Sequence, residues 1–576
     1  MAKLHREWGS RLGHARTAAV IAVVSLMGCC GAARISAQQN GEAKLLGHWP
    51  LTEDAQDRSP SKLASVAKGI KFGEIHASGE TRRGAIFDGL SSVLEVSPAE
   101  KLRLGVEPFS ISLWAHGDEN LGDTLGDLVS CYDAKERRGF HLGIYNHGGV
   151  TNSQPNLRQL HFGIDQGKVE SEFTDHGRLG DAVYVFSLCV HDGKLYASTC
   201  HAGANQAGHV FRWEGNDRWT DLGSPDRANA VSALAVHNGS LYAASSKYRL
   251  AGSSLSESEN NVFGGKVFRL GAGDVWEDCG SLSAETEAIA SLVVFRGKLY
   301  ASSLYRPAGF FRYEGGKKWV ACETPNGKRV EAMTVYNDAI YATCYDEGSV
   351  FRYDGESWKQ VGVIPEATQT YGFGIYRGEL YVSEWPNAHV YRYRGESDWV
   401  DTGRLGSELE AMPLLVYNGK MYSGTLPLAE VYRYDGDNAW ARLGRVDLTP
   451  DVKYRRAWSM AVYQGRLFVG TLPSGRVLSI EAGKNVTDDR SLSPGWHHIA
   501  AVRDEKALKL YVDGLLVGEA VVDNSADYDL SVEQPLRIGF GAQDYYRGAI
   551  SDVRLYRGEL TETEILQQAR REGAAK

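Results

Sequence analysis

An all-β fold in two parts is predicted by two features of the sequence. The first is a hairpin pattern that recurs seven times between about residues 169 and 483. The second is a set of alternating apolar and polar runs on both sides of that region, separated by Gly, Asp and Asn. Alternation with a period of two indicates strands that bury one face, and the residues between them indicate tight turns. Both features exclude a helical repeat.

Each repeat begins with an apolar run, a tight turn and a Leu-Tyr-Ala-type run. The seven second runs begin 40 to 58 residues apart, at Leu195, Leu241, Leu299, Ile340, Leu380, Met421 and Leu467. Six repeats continue with a strand-like run and then a tryptophan, at Trp219, Trp276, Trp319, Trp358, Trp399 and Trp440. Units of this length with four short strands are typical of propeller blades. The sequence therefore predicts a seven-bladed β-propeller over residues 170–486, with the tryptophans packed between neighbouring blades.

The turns and the ends of the repeat region support a closed ring. Asn238-Gly239 and Asn418-Gly419 tolerate the positive φ angles that two-residue hairpin loops require. The seventh repeat lacks an outer strand of its own. FTDHGRLG from Phe173, ahead of the first repeat, is similar to the outer strand WTDLGSP from Trp219. We expect the segment at Phe173 to complete the seventh blade, which removes a free sheet edge.

The runs on either side of the propeller predict two halves of one β-sandwich, over residues 44–167 and 490–571. Five motifs in these halves resemble, in order, the LamG or concanavalin A-like jelly roll: FDG at Phe87, SLW at Ser112, WHHIAAV at Trp496, LYVDG at Leu510 and GAISDVRLYRGELTETEI from Gly548. This resemblance implies that the propeller is inserted into a jelly-roll loop. The Tyr-to-Trp spacing of the repeats is similar to kelch-type blades, although the kelch Gly-Gly pair is missing.

The N-terminal residues 1–37 have the pattern of an export signal. Basic residues precede an apolar run at residues 18–27, and Ile35-Ser36-Ala37 offers a small-residue cleavage site. Leu26-Met27-Gly28-Cys29 is also similar to a bacterial lipobox, which would leave a lipid on Cys29. We therefore expect an exported protein that is periplasmic, cell-surface or extracellular. Its only expected membrane attachment is this lipid.

Composition and motifs limit the possible partners and cofactors. The net charge of −9 and the pI near 6.0 give no basic surface for nucleic acid. Six cysteines lie beyond the leader without zinc-type spacing, so we expect buried thiols with at most one or two disulfides. The two imidazoles of Trp496-His497-His498 would point to opposite faces of a strand. No cofactor is expected, except that Asp57 and Asp88 match acidic jelly-roll positions and leave Ca²⁺ binding open.

One face of the propeller carries the candidate ligand-binding residues. In a blade, the loops between strands two and three share a face with the loops that join successive blades. Aromatic, acidic and basic residues collect at these positions: His201, Tyr248, Tyr305, Arg306, Glu331, Tyr345, Glu347, Tyr371, Glu384, Trp385, Arg456 and Trp458. Glu410 and Tyr454 also precede inner strands, and a polar insertion from Ala251 lies on this face as a mobile lid or a tolerated loop.

Three functions fit this face. Aromatic rings stack on sugars while charged and amide groups bond hydroxyls, so the mixture favours an exported binding protein for carbohydrate or adhesion, with a glycan or extracellular protein as partner. A glycoside hydrolase or lyase would use paired carboxylates, with the candidates Glu331, Asp346, Glu347 and Glu384. A structural cell-surface scaffold would leave the face as a solvated channel. No nucleophile triad, phosphate loop or metal triad is present in the sequence, so binding is favoured over catalysis.

Overall fold

The computed structural model describes residues 43–77, 80–119, 121–150, 154–167 and 170–570. Almost all regular elements in this part of the chain are β-strands, and its one α-helix, α1, spans Glu562–Arg570. Within these residues, no helix has the length and apolar character needed to cross a bilayer. The predicted export signal and lipobox lie outside the described residues.

A β-sandwich is built from both ends of the chain. Nine strands come first: β1 Lys44–Trp49, β2 Ala64–Lys68, β3 Lys71–Ala77, β4 Glu80–Asp88, β5 Val93–Ser97, β6 Phe109–Gly117, β7 Gly126–Asp133, β8 Arg138–His147 and β9 Asn156–Gln166. A ring of 28 strands follows, β10 to β37. Six strands then return to the sandwich: β38 Lys484–Ser491, β39 Gly495–Arg503, β40 Ala507–Val512, β41 Leu515–Val521, β42 Leu536–Ile538 and β43 Arg547–Arg557.

The two sandwich sheets interleave early and late strands. The outer sheet has the order β3-β4-β43-β6-β39-β40-β41, with β1 also paired to β43. The inner sheet has the order β2-β5-β42-β7-β8-β9-β38. Strand β6 therefore has both neighbours, β43 and β39, from the far end of the chain. Its Phe109, Ile111 and Leu113 are fully buried in the core between the sheets.

Strand β38 begins six residues earlier than the predicted second half of the sandwich. It pairs antiparallel with β9, with Val486 opposite Phe162. Val486 is buried in the sandwich core and not in the ring. The sandwich thus takes up residues that the sequence pattern places in the propeller.

The ring strands form sheets that follow the repeats. They are β10 Thr174–Arg178, β11 Tyr184–His191, β12 Lys194–Cys200, β13 Val210–Gly215, β14 Arg218–Asp221, β15 Ala230–His237, β16 Ser240–Ser246, β17 Lys266–Leu270, β18 Trp276–Ser281, β19 Ile289–Phe295, β20 Lys298–Ser303, β21 Phe310–Tyr313, β22 Trp319–Cys322, β23 Val330–Tyr336, β24 Ala339–Cys344, β25 Ser349–Tyr353, β26 Trp358–Val363, β27 Gln369–Tyr376, β28 Glu379–Trp385, β29 His389–Gly395, β30 Asp398–Arg404, β31 Glu410–Tyr417, β32 Lys420–Leu426, β33 Glu430–Gly436, β34 Ala439–Arg445, β35 Arg456–Tyr463, β36 Arg466–Leu472 and β37 Arg476–Ile480.

The blade count differs from the prediction. Among the described residues, five repeat units form separate four-stranded sheets, so the structure has five separate blades and not seven. The first two units share one eight-stranded sheet, β11 to β18. Its two halves join where Cys200 pairs with Ala230 and the His201 N–H donates to the Asn229 carbonyl at 3.0 Å. This merging arises because the end of β12 runs directly alongside the start of β15.

The structure shows the predicted tryptophan contacts between neighbouring units and the predicted closing strand. Each of the six indole N–H groups donates to a backbone carbonyl on the outer strand, or just after it, in the preceding unit, at 2.8 to 3.1 Å. Strand β10 pairs with β37, with Thr174 opposite Ser479. Trp219 of the first unit donates to the carbonyl of His176 on β10 at 3.1 Å. The ring is therefore closed where the two ends of the repeat region meet.

The inner sheet of the sandwich lies against the hairpin turns of the ring. The Asn418 amide donates to the carbonyl of Ile164 at 3.1 Å, and its Oδ1 is 2.8 Å from His141 Nε2. The backbone N–H of Arg377 donates to the carbonyl of Ala542 at 2.9 Å. Asn418, a turn residue predicted from its φ preference, thus also joins the two parts of the molecule.

Candidate functional site

A cavity of about 480 Å³ lies at the end of the ring where the inner strands begin. Its walls come from the first residues of β27, β31 and β35 and from loops that follow second strands. The lining residues are Phe186, Ser232, Tyr248, Arg249, Ala251, Gly252, Glu257, Leu304, Tyr305, Arg329, Glu331, Tyr345, Gln369, Tyr371, Trp385, Glu410, Tyr454, Arg456 and Trp458. Eight of the twelve candidate residues are among them.

The floor of the cavity is polar and buried. Glu331, Glu410, Arg456 and Trp458 are between 1% and 6% exposed. Among the described residues, no protein group partners Glu331 Oε2, Glu410 Oε1, Arg456 Nε or Trp458 Nε1. A buried polar atom without a hydrogen bond costs about 1–3 kcal/mol. At residues that line the cavity, the floor therefore holds two carboxyl oxygens and two N–H groups without a protein partner.

Below the floor, the axis of the ring is filled by side chains. Trp458 packs against Tyr184 and Phe186, with ring centroids 5.3 and 6.3 Å apart. Val150, which follows β8 of the sandwich, is 2% exposed and belongs to the same apolar cluster. The sandwich thus contributes to closing the ring on the side opposite the cavity.

The walls are aromatic. Tyr248, Tyr305, Tyr345 and Tyr371 come from four different loops or strand starts around the cavity. Trp385 lies edge-to-face with Tyr454, with centroids 6.3 Å apart. Large rings around a polar floor suit a ligand with flat apolar faces and polar edges.

Burial gives the two floor carboxylates different environments. The pKa of Glu331 is raised to about 8 by burial and by the neighbouring Glu410. Burial also raises the pKa of Glu410, but the positive charge of Arg456 acts in the opposite direction. Arg456 Nη2 lies 3.6 Å from Glu410 Oε2. At neutral pH Glu331 is therefore mainly protonated, and Glu410 has the compensating cation.

The polar insertion after Tyr248 forms a wall of the cavity. Ser253 is fully buried, and its hydroxyl accepts a hydrogen bond from Arg456 Nη1 at 2.7 Å and lies 2.8 Å from Tyr248 Oη. Asn260 donates to the carbonyls of Gln206 and Arg227 at 2.8 and 2.9 Å. These contacts anchor the insertion at both ends, so it is an integral part of the site.

Four candidate residues lie outside the cavity lining. His201 Nε2 is 3.0 Å from Thr199 Oγ1, and Glu384 accepts the backbone N–H groups of Asn387 and His389. Glu347 pairs with Lys328 at 3.0 Å, and Arg306 pairs with Asp346 at 3.0 Å. Asp346 is also held by Arg329 at 2.7 Å. Asp346, Glu347 and Glu384 are thus occupied locally, and the carboxylate that accompanies Glu331 is Glu410.

Sequence reasoning missed several lining residues, including Arg249, Glu257, Arg329 and Gln369. Gln369 is the first residue of an inner strand, as Glu410 and Arg456 are, so its position offered a usable signal. Arg329 precedes such a strand by one residue. Arg249 and Glu257 come from the insertion, whose path no repeat pattern defines.

The two predicted calcium positions, Asp57 and Asp88, lie in tight turns and bond to backbone N–H groups. Asp57 accepts backbone N–H groups from His48, Ser59 and Leu63, and Asp88 likewise accepts those of its own turn. In the part of the chain that the structure describes, no group of three or more His, Cys, Asp or Glu side chains is arranged to hold a metal ion. The six described cysteines are all unbridged. Calcium binding stays an untested prediction.

We expect Glu331→Gln to flatten the pH dependence of stability. A carboxyl whose pKa rises from 4.5 to about 8 on folding stabilises the folded state fully only below pH 4.5. That contribution is lost as the pH rises through 8, and it amounts to at most about 5 kcal/mol. Urea unfolding between pH 5 and 9 measures it. Glu347→Gln is the control, since Glu347 is ion-paired at the surface. Parallel stability profiles for wild type and Glu331→Gln would show that folding does not raise the pKa of Glu331.

Comparison with protein families supports the sandwich part of the fold. Residues 439–566 match the model of the concanavalin A-like lectin/glucanases superfamily, and this range includes β38 to β43 together with the last ring strands. No curated protein matches the chain. The kelch-like assignment of the ring is not shown and stays a prediction.

Solved structures with similar strand arrangements each cover about half of this chain. A streptogramin B lyase shares 12% identity over 54% of this chain and 98% of its own, with a TM-score of 0.43. Virginiamycin B lyase from Staphylococcus aureus shares 12% identity over 54% and 99%, with a TM-score of 0.43. YCF48 bound to D1 peptide shares 9% identity over 55% and 100%, with a TM-score of 0.40. Similarity at this level carries no argument about function.

Proposed function

We propose that this chain is an exported carbohydrate-binding protein whose glycan site is the cavity of the ring. The observation that carries the proposal is the set of four unpartnered polar atoms on the buried floor, enclosed by aromatic walls. Sugar hydroxyls both donate and accept hydrogen bonds, so one sugar ring can satisfy carboxylate oxygens and N–H donors together. The apolar faces of the same ring stack on tyrosine and tryptophan.

The sandwich is a second region that could contact a ligand in this proposal. Its similarity to a lectin/glucanase superfamily supports a role in binding or adhesion. The ring cavity nevertheless offers the more complete set of ligand-binding groups, so we assign the main site to the ring. Fractionation of cells that express the full chain tests export, and recovery in the cytoplasm would contradict it.

Trp385→Ala should weaken retention on the bound polysaccharide by about thirtyfold. A half-buried indole on the wall loses a large stacking area on truncation, and such anchors contribute roughly 2 kcal/mol or more. Retention is measured on a panel of immobilised polysaccharides, with Leu515→Ala as the control. Leu515 is 68% exposed on the sandwich and is expected to have no effect. If Trp385→Ala binds like wild type, the glycan site does not lie in this cavity.

Trp458 needs a different substitution, because it is packed among aromatic side chains. Trp458→Ala would leave a cavity in this cluster and cost roughly 3–5 kcal/mol of stability. Trp458→Phe keeps an aromatic six-membered ring and removes the Nε1 donor together with the rest of the pyrrole ring, a smaller loss of packing than in Trp458→Ala. We expect Trp458→Phe to bind several-fold more weakly while its thermal unfolding stays close to that of wild type. Tyr184→Phe, which removes a hydroxyl below the floor, is the matched control.

A glycoside hydrolase or lyase is the second candidate function. Glu331 and Glu410 share one cavity and have different environments, since Arg456 lies beside Glu410, and glycosidases likewise use two carboxyl groups in different environments. Analysis of soluble products in the same retention samples separates the two functions. Product release that is lost in Glu331→Gln and Glu410→Gln, with retention preserved, would establish catalysis. If the protein is not retained and no product is released, the role of a structural scaffold is the one that remains.

A further inference from the structure

Two arginines of the cavity lining lie over tyrosine rings. Arg249 Cζ lies 4.4 Å from the ring centroid of Tyr305, and Arg329 Cζ lies 4.3 Å from that of Tyr345. All four residues line the cavity. Stacking fixes the plane of a guanidinium and leaves its edges available for hydrogen bonds. Both cations are thus preorganised at the mouth of the site.

The partners of these arginines leave an excess of positive charge at the rim. Arg329 donates to Asp346 Oδ1 through Nε at 3.0 Å and through Nη2 at 2.7 Å. Arg306 donates to the same oxygen at 3.0 Å, so two guanidinium groups share one carboxylate. Arg249 pairs with Glu287 through Nη2 alone. The rim therefore has capacity for a further anionic partner.

The other charged groups of the cavity do not oppose an anion. Arg456 compensates Glu410 on the floor. Burial keeps Glu331 mainly protonated at neutral pH, since its pKa is raised to about 8. On the wall, Glu257 lies 3.6 Å from Lys247 Nζ and accepts the backbone N–H groups of Leu250 and Ala251. Each carboxylate is neutralised or locally bonded.

Resting on the proposed glycan site, we infer that its ligand is an acidic saccharide, in which Arg249 and Arg329 bind the carboxylate of a uronic acid or similar sugar. Arginine presents paired N–H groups that match the two oxygens of a carboxylate. The uncharged part of the sugar then lies between the aromatic walls, and its hydroxyls reach the floor. The inference names a ligand class, which the aromatic walls alone do not specify.

The test compares each acidic polysaccharide with its own carboxyl-reduced form. Polygalacturonate, alginate, glucuronoxylan and hyaluronan are immobilised alongside products in which carbodiimide and borohydride have converted the carboxylates to primary alcohols. We expect at least one acidic form to bind the full chain tenfold or more tightly than its reduced form. Dextran sulfate serves as a general polyanion and should not compete at equal charge.

Arginine variants test the assignment to the rim. Arg249→Gln and Arg329→Gln should each reduce the preference for the acidic form to about threefold or less, with unchanged thermal unfolding. Arg296→Gln is the matched control, because Arg296 also lies over an aromatic ring, that of Phe295, and pairs with one carboxylate, Asp338, but does not line this cavity. It should keep the preference.

The possible failures are distinguishable. Absence of binding to every polysaccharide, neutral ones included, would overturn the proposed function itself. Equal binding of acidic and reduced forms, or efficient competition by dextran sulfate, would overturn the acidic-ligand inference and leave glycan binding intact. An undiminished preference in both arginine variants would likewise overturn the role of Arg249 and Arg329.

Discussion

A ring fragment of residues 170–486 is expected to fold, whereas a fragment that begins at Asp181 is expected to lose more than about 4 kcal/mol of stability. The difference is β10, which is the outer strand of the closing blade. Without it, β37 becomes an unpaired edge. Trp219 also loses its acceptor on His176, and Arg476 loses the 2.5 Å ion pair with Asp175. Losing a strand pairing, a partly buried hydrogen bond and an exposed ion pair together gives the large expected cost, to which the strand pairing contributes most.

The two fragments form a matched pair, because both lack the sandwich and expose the same hairpin turns. Soluble yield, circular dichroism and thermal unfolding of the two are compared directly. Equal melting temperatures would contradict the closure of the ring by β10. A poor yield of both fragments would instead place the requirement for folding in the sandwich contacts.

Truncation after residue 495 is expected to unfold the sandwich and leave the ring folded. The truncated chain lacks essentially all of β39 to β43, so β6 loses both of its neighbours. Phe109, Ile111 and Leu113 then lose the partners that bury them. Exposure of three such side chains costs roughly 5–9 kcal/mol, which is comparable to the roughly 5–15 kcal/mol stability of a typical domain.

Limited proteolysis with mass spectrometry measures this outcome. We expect rapid cleavage within residues 44–167 and a protected product close to residues 170–486. Truncation after residue 560 is the control, since it removes α1 and keeps every sandwich strand. If residues 44–167 resist the protease in the chain truncated after residue 495, the two halves of the sandwich do not depend on each other.

Local patterns were sufficient to predict most of the architecture. The hairpin turns, the outer-strand tryptophans and the closing segment at Phe173 each have a signal within about ten residues. The junction of Cys200 with Ala230 has none, because a single pairing between two units decides whether their sheets merge. The sequence therefore predicts the repeats but not the number of separate blades. The early start of β38 was missed for a similar reason, since its partner β9 lies across the whole ring.

The sequence predicted which face of the ring carries the site, but not which charged side chains pair with each other there. Strand starts placed Glu331, Arg456 and Trp458 on the same face, and the structure brings them to one floor. Which carboxylate faces which cation depends on the rotation of the blades about the ring. Glu410 meets Arg456 through that long-range geometry, whereas Glu384 is used by its own turn. Sequence spacing contains no information on such pairings.

Because β6 lies between two strands from the far end of the chain, the ring and the sandwich can fold only in a fixed order during translation. A ribosome that has made β6, which ends at Gly117, must add about 390 residues before β39 is complete at Arg503, which takes roughly 20–80 s at about 5–20 residues per second. During this time the ring can close, because all its strands lie between the two halves, but Phe109, Ile111 and Leu113 have no partner strand. An unpaired apolar strand is prone to aggregation. The nascent chain is therefore expected to need a holding chaperone until its last hundred residues emerge.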